Sequence, residues 1–212
     1  MFKEQNLIIE QKYKNPNKYI IHKNKYVRDF ENLYKNIKDP WYQSKNFEND
    51  EQYIFLLSGL FNYFNKKKKC SILDIGAGDG IIKKYLNKNF KYTATDVHKN
   101  FKNVVYDDIN HLNKSFVNKF DVIFFLKTVI YVADNINVVA RNIKKYLKKN
   151  GVVIISYSLK KNSFTNKYLT DLKLRKILKK IKLKEVYSIE INRELFLNEN
   201  KEKMSFFIFQ NK

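Results

Sequence analysis

Three acidic positions and one glycine cluster carry the chemistry that is visible in this chain. Asp74 stands inside Ile72-Leu73-Asp74-Ile75-Gly76-Ala77-Gly78-Asp79-Gly80, which holds three of the chain's five glycines. Glycine tolerates positive φ and lets other groups approach the main chain closely. A glycine-poor chain that gathers three together is meeting a backbone requirement. Cys70 to Ile75 reads as a short buried strand, and Ile81 to Leu86 resumes apolar positions at helical spacing. Strand, glycine-rich turn and helix together aim free backbone N–H groups at a nucleotide-like ligand. Asp96 follows 22 residues after Asp74, at the end of Lys91-Tyr92-Thr93-Ala94-Thr95-Asp96. In a βαβ unit that position suits a ribose diol, because one carboxylate accepts from both hydroxyls. The plain alternatives are a turn made only for packing and an aspartate that caps a helix.

The glycine spacing narrows the ligand. The dinucleotide fingerprint G-x-G-x-x-G, counted from Gly76, needs its third glycine where Ile81 stands. A P-loop is excluded because no Gly-Lys-Ser/Thr follows. The observed Asp74-x-Gly76-x-Gly78-x-Gly80 resembles the first motif of class I S-adenosylmethionine-dependent methyltransferases. The order of later segments, from about 45 to 158, also resembles that family. A narrower likeness lies in Asp39-Pro40-Trp41-Tyr42 followed by a helix running into the glycine loop. That arrangement is similar to small-molecule methyltransferases related to the rhizobial nodulation N-methyltransferase.

Composition sets the outer bounds. With 212 residues the chain is one domain, or one domain with an appendage, and can bury a proper core. Its formal charge of +21 raises the question of nucleic acid. Yet of 42 basic residues only Arg28, Arg141, Arg175 and Arg193 are arginine, the residue favoured for bidentate phosphate and base contacts. Excess lysine and asparagine look like an AT-rich genome, so a solvated lysine surface is favoured over a dedicated nucleic-acid patch. No signal-type leader and no membrane span is evident. The single cysteine, Cys70, suits a reducing cytoplasm, which is the expected location. No Cys/His cluster has metal-ligand spacing, so no metal is expected.

The elements that must position these groups follow in order. Residues 1 to about 25 read as either a hairpin or a loose arm. Val27, Phe30, Leu33, Tyr34 and Ile37 predict a helix from Tyr26 to Ile37, ended before Pro40. A second helix is expected from about Glu48 to Phe64, and residues 1–64 form an N-terminal extension, read as lid helices, ahead of a core from 65 to 212. Trp41 is either a staple for those helices or part of a lid. Strands are expected at Lys91–Asp96, Val104–Tyr106, Phe120–Leu126 and Gly151–Tyr157. Helices are expected at Asn135–Lys149, stopped by Asn150-Gly151, and at Thr170–Ile181. Lys184–Asn192 and Lys203–Gln210 read as a terminal antiparallel pair. Alternating strands and helices give an α/β fold with a mostly parallel sheet and helices on both faces. The resemblance adds a Rossmann-like sheet of seven strands, the last inserted antiparallel.

The resemblance also implies residue roles. Asp74, Asp96 and Asp108 would address the amine, ribose and adenine of S-adenosylmethionine, with Asp107 the fallback for Asp108. Gly76, Ala77, Gly78, Val97, Ile109 and Leu126 would complete the cofactor site. Lys127-Thr128-Val129-Ile130-Tyr131 occupies the segment that faces the transferring methyl group, making Lys127 and Tyr131 the candidates to orient or deprotonate the acceptor, with His98 and Tyr42 behind them. Lys127 stands where many relatives carry an acid or polar residue, so no carboxylate base is implied there. The Asn/Asp-Pro-Pro-aromatic motif of nucleic-acid amino-methyltransferases is missing, since no proline follows Pro40. The expected activity is methyl transfer to an oxygen or nitrogen of a small polar acceptor, such as a sugar or sugar-nucleotide, leaving S-adenosylhomocysteine. An RNA methyltransferase and a domain that binds the cofactor without chemistry are the competing readings.

Overall fold

The computed structural model describes residues 17–37, 69–99, 101–158, 164–192 and 203–212. The chain divides into two compact units, Met1–Tyr53 and Ile54–Lys212. In the first, a single helical turn α1 (Asn17–Ile20) leads into a hairpin of β1 (Ile21–His22) and β2 (Lys25–Tyr26). Lys23 and Asn24 both take positive φ, the geometry that a two-residue hairpin turn demands. The helix expected from Tyr26 starts later, as α2 (Phe30–Asn36). Tyr26 pairs with Ile21 across the hairpin, and Asp29 caps α2 by accepting from the Asn32 N–H. Leu33 is the buried anchor of α2. The Asp39-Pro40-Trp41-Tyr42 segment and the helix expected at 48–64 lie outside the described residues.

The second unit is built on a seven-stranded sheet. Its strands are β3 (Ser71–Ile75), β4 (Lys91–Asp96), β5 (Val105–Tyr106), β6 (Phe120–Leu126), β7 (Leu147–Ser158), β8 (Leu183–Asn192) and β9 (Lys203–Asn211). The order across the sheet is β5-β4-β3-β6-β7-β9-β8. Strands β3 to β7 run parallel to one another, and β9 enters antiparallel between β7 and β8. That is the Rossmann-like, mostly parallel arrangement expected, including the inserted last strand. β3 and β6 are flanked on both sides and buried almost throughout, from Ile72 and Leu73 to Val122, Ile123, Phe124 and Phe125. Such unbroken apolar runs are the mark of central parallel strands.

Helix α3 (Ile136–Tyr146) buries Ile136, Val139, Ala140, Ile143 and Tyr146, and α4 (Asp171–Lys180) buries Leu174 and Leu178. Thr170 caps α4 through the Lys173 N–H, and the Lys144 ammonium donates to the Ile181 carbonyl, tying α3 to the end of α4. The helix expected after the glycine loop is a single 3-10 segment, Ile81–Tyr85, entered through Gly80. At the strand-start edge, Asp121 Oδ2 accepts from the Ser71 N–H at 2.9 Å, the Ser71 hydroxyl at 2.6 Å and the Lys148 ammonium at 2.8 Å. Burial opposes its charge, but the bonds from Lys148 and Ser71 outweigh that and hold the carboxyl down at about 2. This cluster welds β3, β6 and β7 at the end opposite the glycine loop.

Candidate functional site

The glycine loop leaves β3 and immediately folds back on β4. The N–H groups of Gly76 and Ala77 both donate to the Thr95 carbonyl, at 2.9 and 3.0 Å. Gly76 and Gly78 have φ of +68° and +56°, a region that side chains rarely adopt. At Gly76 a Cβ would also stand 2.5 Å from the Thr128 side chain. Thr128 donates to the Leu126 carbonyl at 2.9 Å and lies 3.4 Å from that of Gly76, so one hydroxyl joins the end of β6 to the loop. Thr128 was not among the expected site residues. Nothing in its local sequence shows that β6 ends beside the loop.

Asp96 sits where the spacing placed it, at the end of β4, and is 8 % exposed. One oxygen accepts the Gly78 N–H and the other the His98 N–H, each at 3.0 Å. The strand-end acid and the glycine loop are thus one assembly. Burial raises its carboxyl above the ordinary range, opposed by the backbone N–H groups of His98, Gly78 and Val97. His98 is held here by its own N–H, and its ring stacks edge-on against Phe101 at 4.9 Å.

Asp74 is buried on the same face of the sheet. Among the described residues its carboxylate has one donor, the Tyr92 hydroxyl, at 2.6 Å. Burial pushes the Asp74 carboxyl up to about 7; the Tyr92 bond lowers it, and the negative charge of Asp96 raises it further. Burial and the Asp74 carboxylate push the Tyr92 phenol far above its ordinary value. The β3–β4 register puts Ile72 opposite Tyr92 and Asp74 opposite Ala94, so Tyr92 reaches diagonally across to Asp74. Only that register reveals Tyr92, which the sequence offers as one aromatic strand residue among many.

The acidic pair after β5 is set by turns. The Asp107 N–H donates to the Asp96 carbonyl, and the Asp107 side chain accepts from Asn113. Burial raises Asp107 above its ordinary range, against the Asn113 bond. Asp108 accepts from the Asn110 N–H and side-chain amide, and lies 3.1 Å from His111 Nδ1. Helix α3 holds this loop: the buried Asn142 amide donates to the Ile109 carbonyl, and the Tyr146 hydroxyl accepts the Asn113 N–H. Ile109 itself is buried.

At the end of β6, Leu126 is half-buried and Lys127 takes a φ of +56°. A lysine held in that region costs backbone energy. Its N–H donates to the Ser156 carbonyl of β7 at 2.7 Å. A 3-10 segment, Val129–Asn135, follows, in which the Tyr131 N–H donates to the Thr128 carbonyl. The structure therefore brings Asp74, Gly76, Ala77, Gly78, Asp96 and Val97 into one assembly, joined by Thr128 to the segment that carries Lys127 and Tyr131. Tyr42 lies outside the described residues. No group of three metal-ligating side chains occurs among the described residues.

The sequence model of the methyltransferase-domain family matches residues 46–201. The chain belongs to that family. Its fold is shared by the N-methyltransferase NodS of Bradyrhizobium japonicum, solved in complex with S-adenosyl-L-homocysteine. That structure is 20% identical, with 82% of this chain and 92% of that one covered and a TM-score of 0.61. The PH0226 protein of Pyrococcus horikoshii is similar over 85% of this chain and 99% of its own, at 13% identity and a TM-score of 0.60. A SAM-dependent methyltransferase of Aquifex aeolicus is similar over 73% of this chain and 88% of that one, at 16% identity and a TM-score of 0.56. No curated protein matches the chain in sequence.

Proposed function

We infer that this methyltransferase-family chain transfers the methyl group of S-adenosylmethionine to an oxygen or nitrogen of a small polar acceptor. The observation that carries the cofactor assignment is the Asp96 carboxylate bonded to the Gly78 N–H at 3.0 Å. It joins a diol-accepting acid to a left-handed glycine loop at the carboxyl ends of parallel strands, where α/β sheets bind ligands. A buried carboxylate at Asp74 with one neutral donor, and no cation bonded to it among the described residues, fits the ligand's ammonium group. Asp74, Gly76, Ala77, Gly78, Asp96 and Val97 would hold the amino-acid and ribose parts. Asp108, Ile109 and Leu126 would flank the base.

When bound, S-adenosylmethionine supplies an activated methyl group on a sulfonium, so the chain's task is alignment and exclusion of water. Lys127 and Tyr131 are proposed to orient the acceptor or take its proton. A small acceptor is supported by the scarcity of arginine and the absence of an Asn/Asp-Pro-Pro-aromatic segment. A sugar or sugar-nucleotide is one such class. Labelled methyl donor, incubated with the protein and a cell extract separated into RNA and small-metabolite fractions, tests the reading. Label is expected in the metabolite fraction. Label found only in RNA would establish the competing use of the lysine-rich surface.

A further inference from the structure

We propose that Tyr92 is a positioning residue for the amino group of the cofactor, acting through the one carboxylate oxygen of Asp74 that its hydroxyl engages. The inference rests on the cofactor reading above and concerns a residue outside the glycine motif. Tyr92, Ala94 and Asp96 alternate along β4 and so share the sheet face that bears Asp74. A side chain at Gly80 would rest 3.5 Å from Ala94 and 3.7 Å from the Tyr92 ring, so the loop packs directly over this tyrosine.

An ionised carboxylate at this depth calls for a cation. Asp74 is 5 % exposed, and its one hydrogen-bond donor among the described residues is a neutral phenol. The titratable groups facing it are Tyr92 and Asp96 on β4, with Asp79 of the loop acting on Tyr92. On β6 the residue in register is the apolar Phe124. A second carboxylate nearby makes ionisation of Asp74 harder, and desolvation makes it harder still. The Tyr92 hydroxyl opposes both, fixes the rotamer of the carboxylate, and leaves the other oxygen to accept from an ammonium group. A tyrosine kept only for packing would need no partner for its hydroxyl at this depth other than water or a carbonyl. Here it meets the one buried acid of the motif.

Two ligands separate the possibilities in the intact chain. S-adenosylhomocysteine carries the amino-acid group, whereas methylthioadenosine keeps the adenine, ribose and sulfur without it. Calorimetry of Tyr92→Phe near pH 7 should show S-adenosylhomocysteine binding weakened about tenfold and methylthioadenosine changed less than about twofold. Because ionised Asp74 is the binding form, wild-type affinity for S-adenosylhomocysteine should also fall about tenfold between roughly pH 8 and pH 6. In Tyr92→Phe the same fall should begin at higher pH. Asp74→Asn, which keeps the shape, should bind methylthioadenosine normally and lose this pH dependence for S-adenosylhomocysteine. Equal losses of both ligands in Tyr92→Phe, or an Asp74→Asn protein that keeps the pH dependence, would overturn the inference and leave the cofactor reading standing. Failure of the wild-type protein to bind either ligand would overturn the cofactor reading itself.

Discussion

An ionised Asp74 should destabilise the ligand-free protein, and its removal should therefore stabilise it in a pH-dependent way. Burial lifts the carboxyl from 3.8 to about 7. A carboxyl whose folded value lies above its unfolded value binds its proton more tightly when folded. Its favourable contribution is complete below about pH 4 and is lost as pH rises through about 7. By pH 8 the loss amounts to on the order of 4 kcal/mol. Asp74→Asn keeps the shape and an acceptor for the Tyr92 hydroxyl. It buries an amide N–H group without a fixed partner, at a cost of about 1–3 kcal/mol that does not vary with pH. The stability difference between variant and wild type should thus climb by roughly 2.5–3 kcal/mol between about pH 5 and pH 8. In melting temperature this is a relative gain of roughly five to ten degrees for a chain of this size. Denaturant melts of both proteins without ligand, at matched pH values, measure the difference directly and cancel the other titrating groups. Parallel curves across that range would show that Asp74 is not the buried, weakly partnered acid described here.

Asp96→Ala removes a charge-assisted acceptor for a diol and the anchor of the Gly78 N–H. S-adenosylhomocysteine affinity should fall about ten- to hundredfold by calorimetry, and wild-type affinity would refute the ribose assignment. Gly76→Ala meets both a left-handed φ and the Thr128 side chain at 2.5 Å. It should cost about 2 kcal/mol or more in denaturant unfolding, of which the Gly76→Ala/Thr128→Ala double variant should recover the steric part but not the backbone part. Asp121→Asn breaks the Ser71–Asp121–Lys148 cluster. It should lower stability by about 1–2 kcal/mol at neutral pH, an effect that fades as pH falls from about 4 through about 2, where the folded carboxyl takes its proton.

The ligand-facing half of the sheet was legible because its signals are local. Three glycines among five, an acid at each of two strand ends, and apolar runs of strand length each report a backbone requirement within a few residues. Alternation of strands and helices fixed the fold class for the same reason. Local helix signals were less sure at their ends. The segment after the glycine loop shortened to one 3-10 run, and α2 began only at its Asp29 cap, where hairpin pairing of Tyr26 overrode helical periodicity.

What tertiary structure decided are the contacts between residues far apart in the chain. Tyr92 meets Asp74 only because the β3–β4 register sets Ile72 opposite Tyr92. Thr128 meets Gly76 across 52 positions because β6 lies beside β3. Asn142 and Tyr146 hold the 107–113 loop because α3 packs beneath it. The state of Asp74 belongs to the same class. Its charge is written in the sequence, but the difficulty of keeping that charge comes from burial and from Asp96, which only the folded sheet brings together.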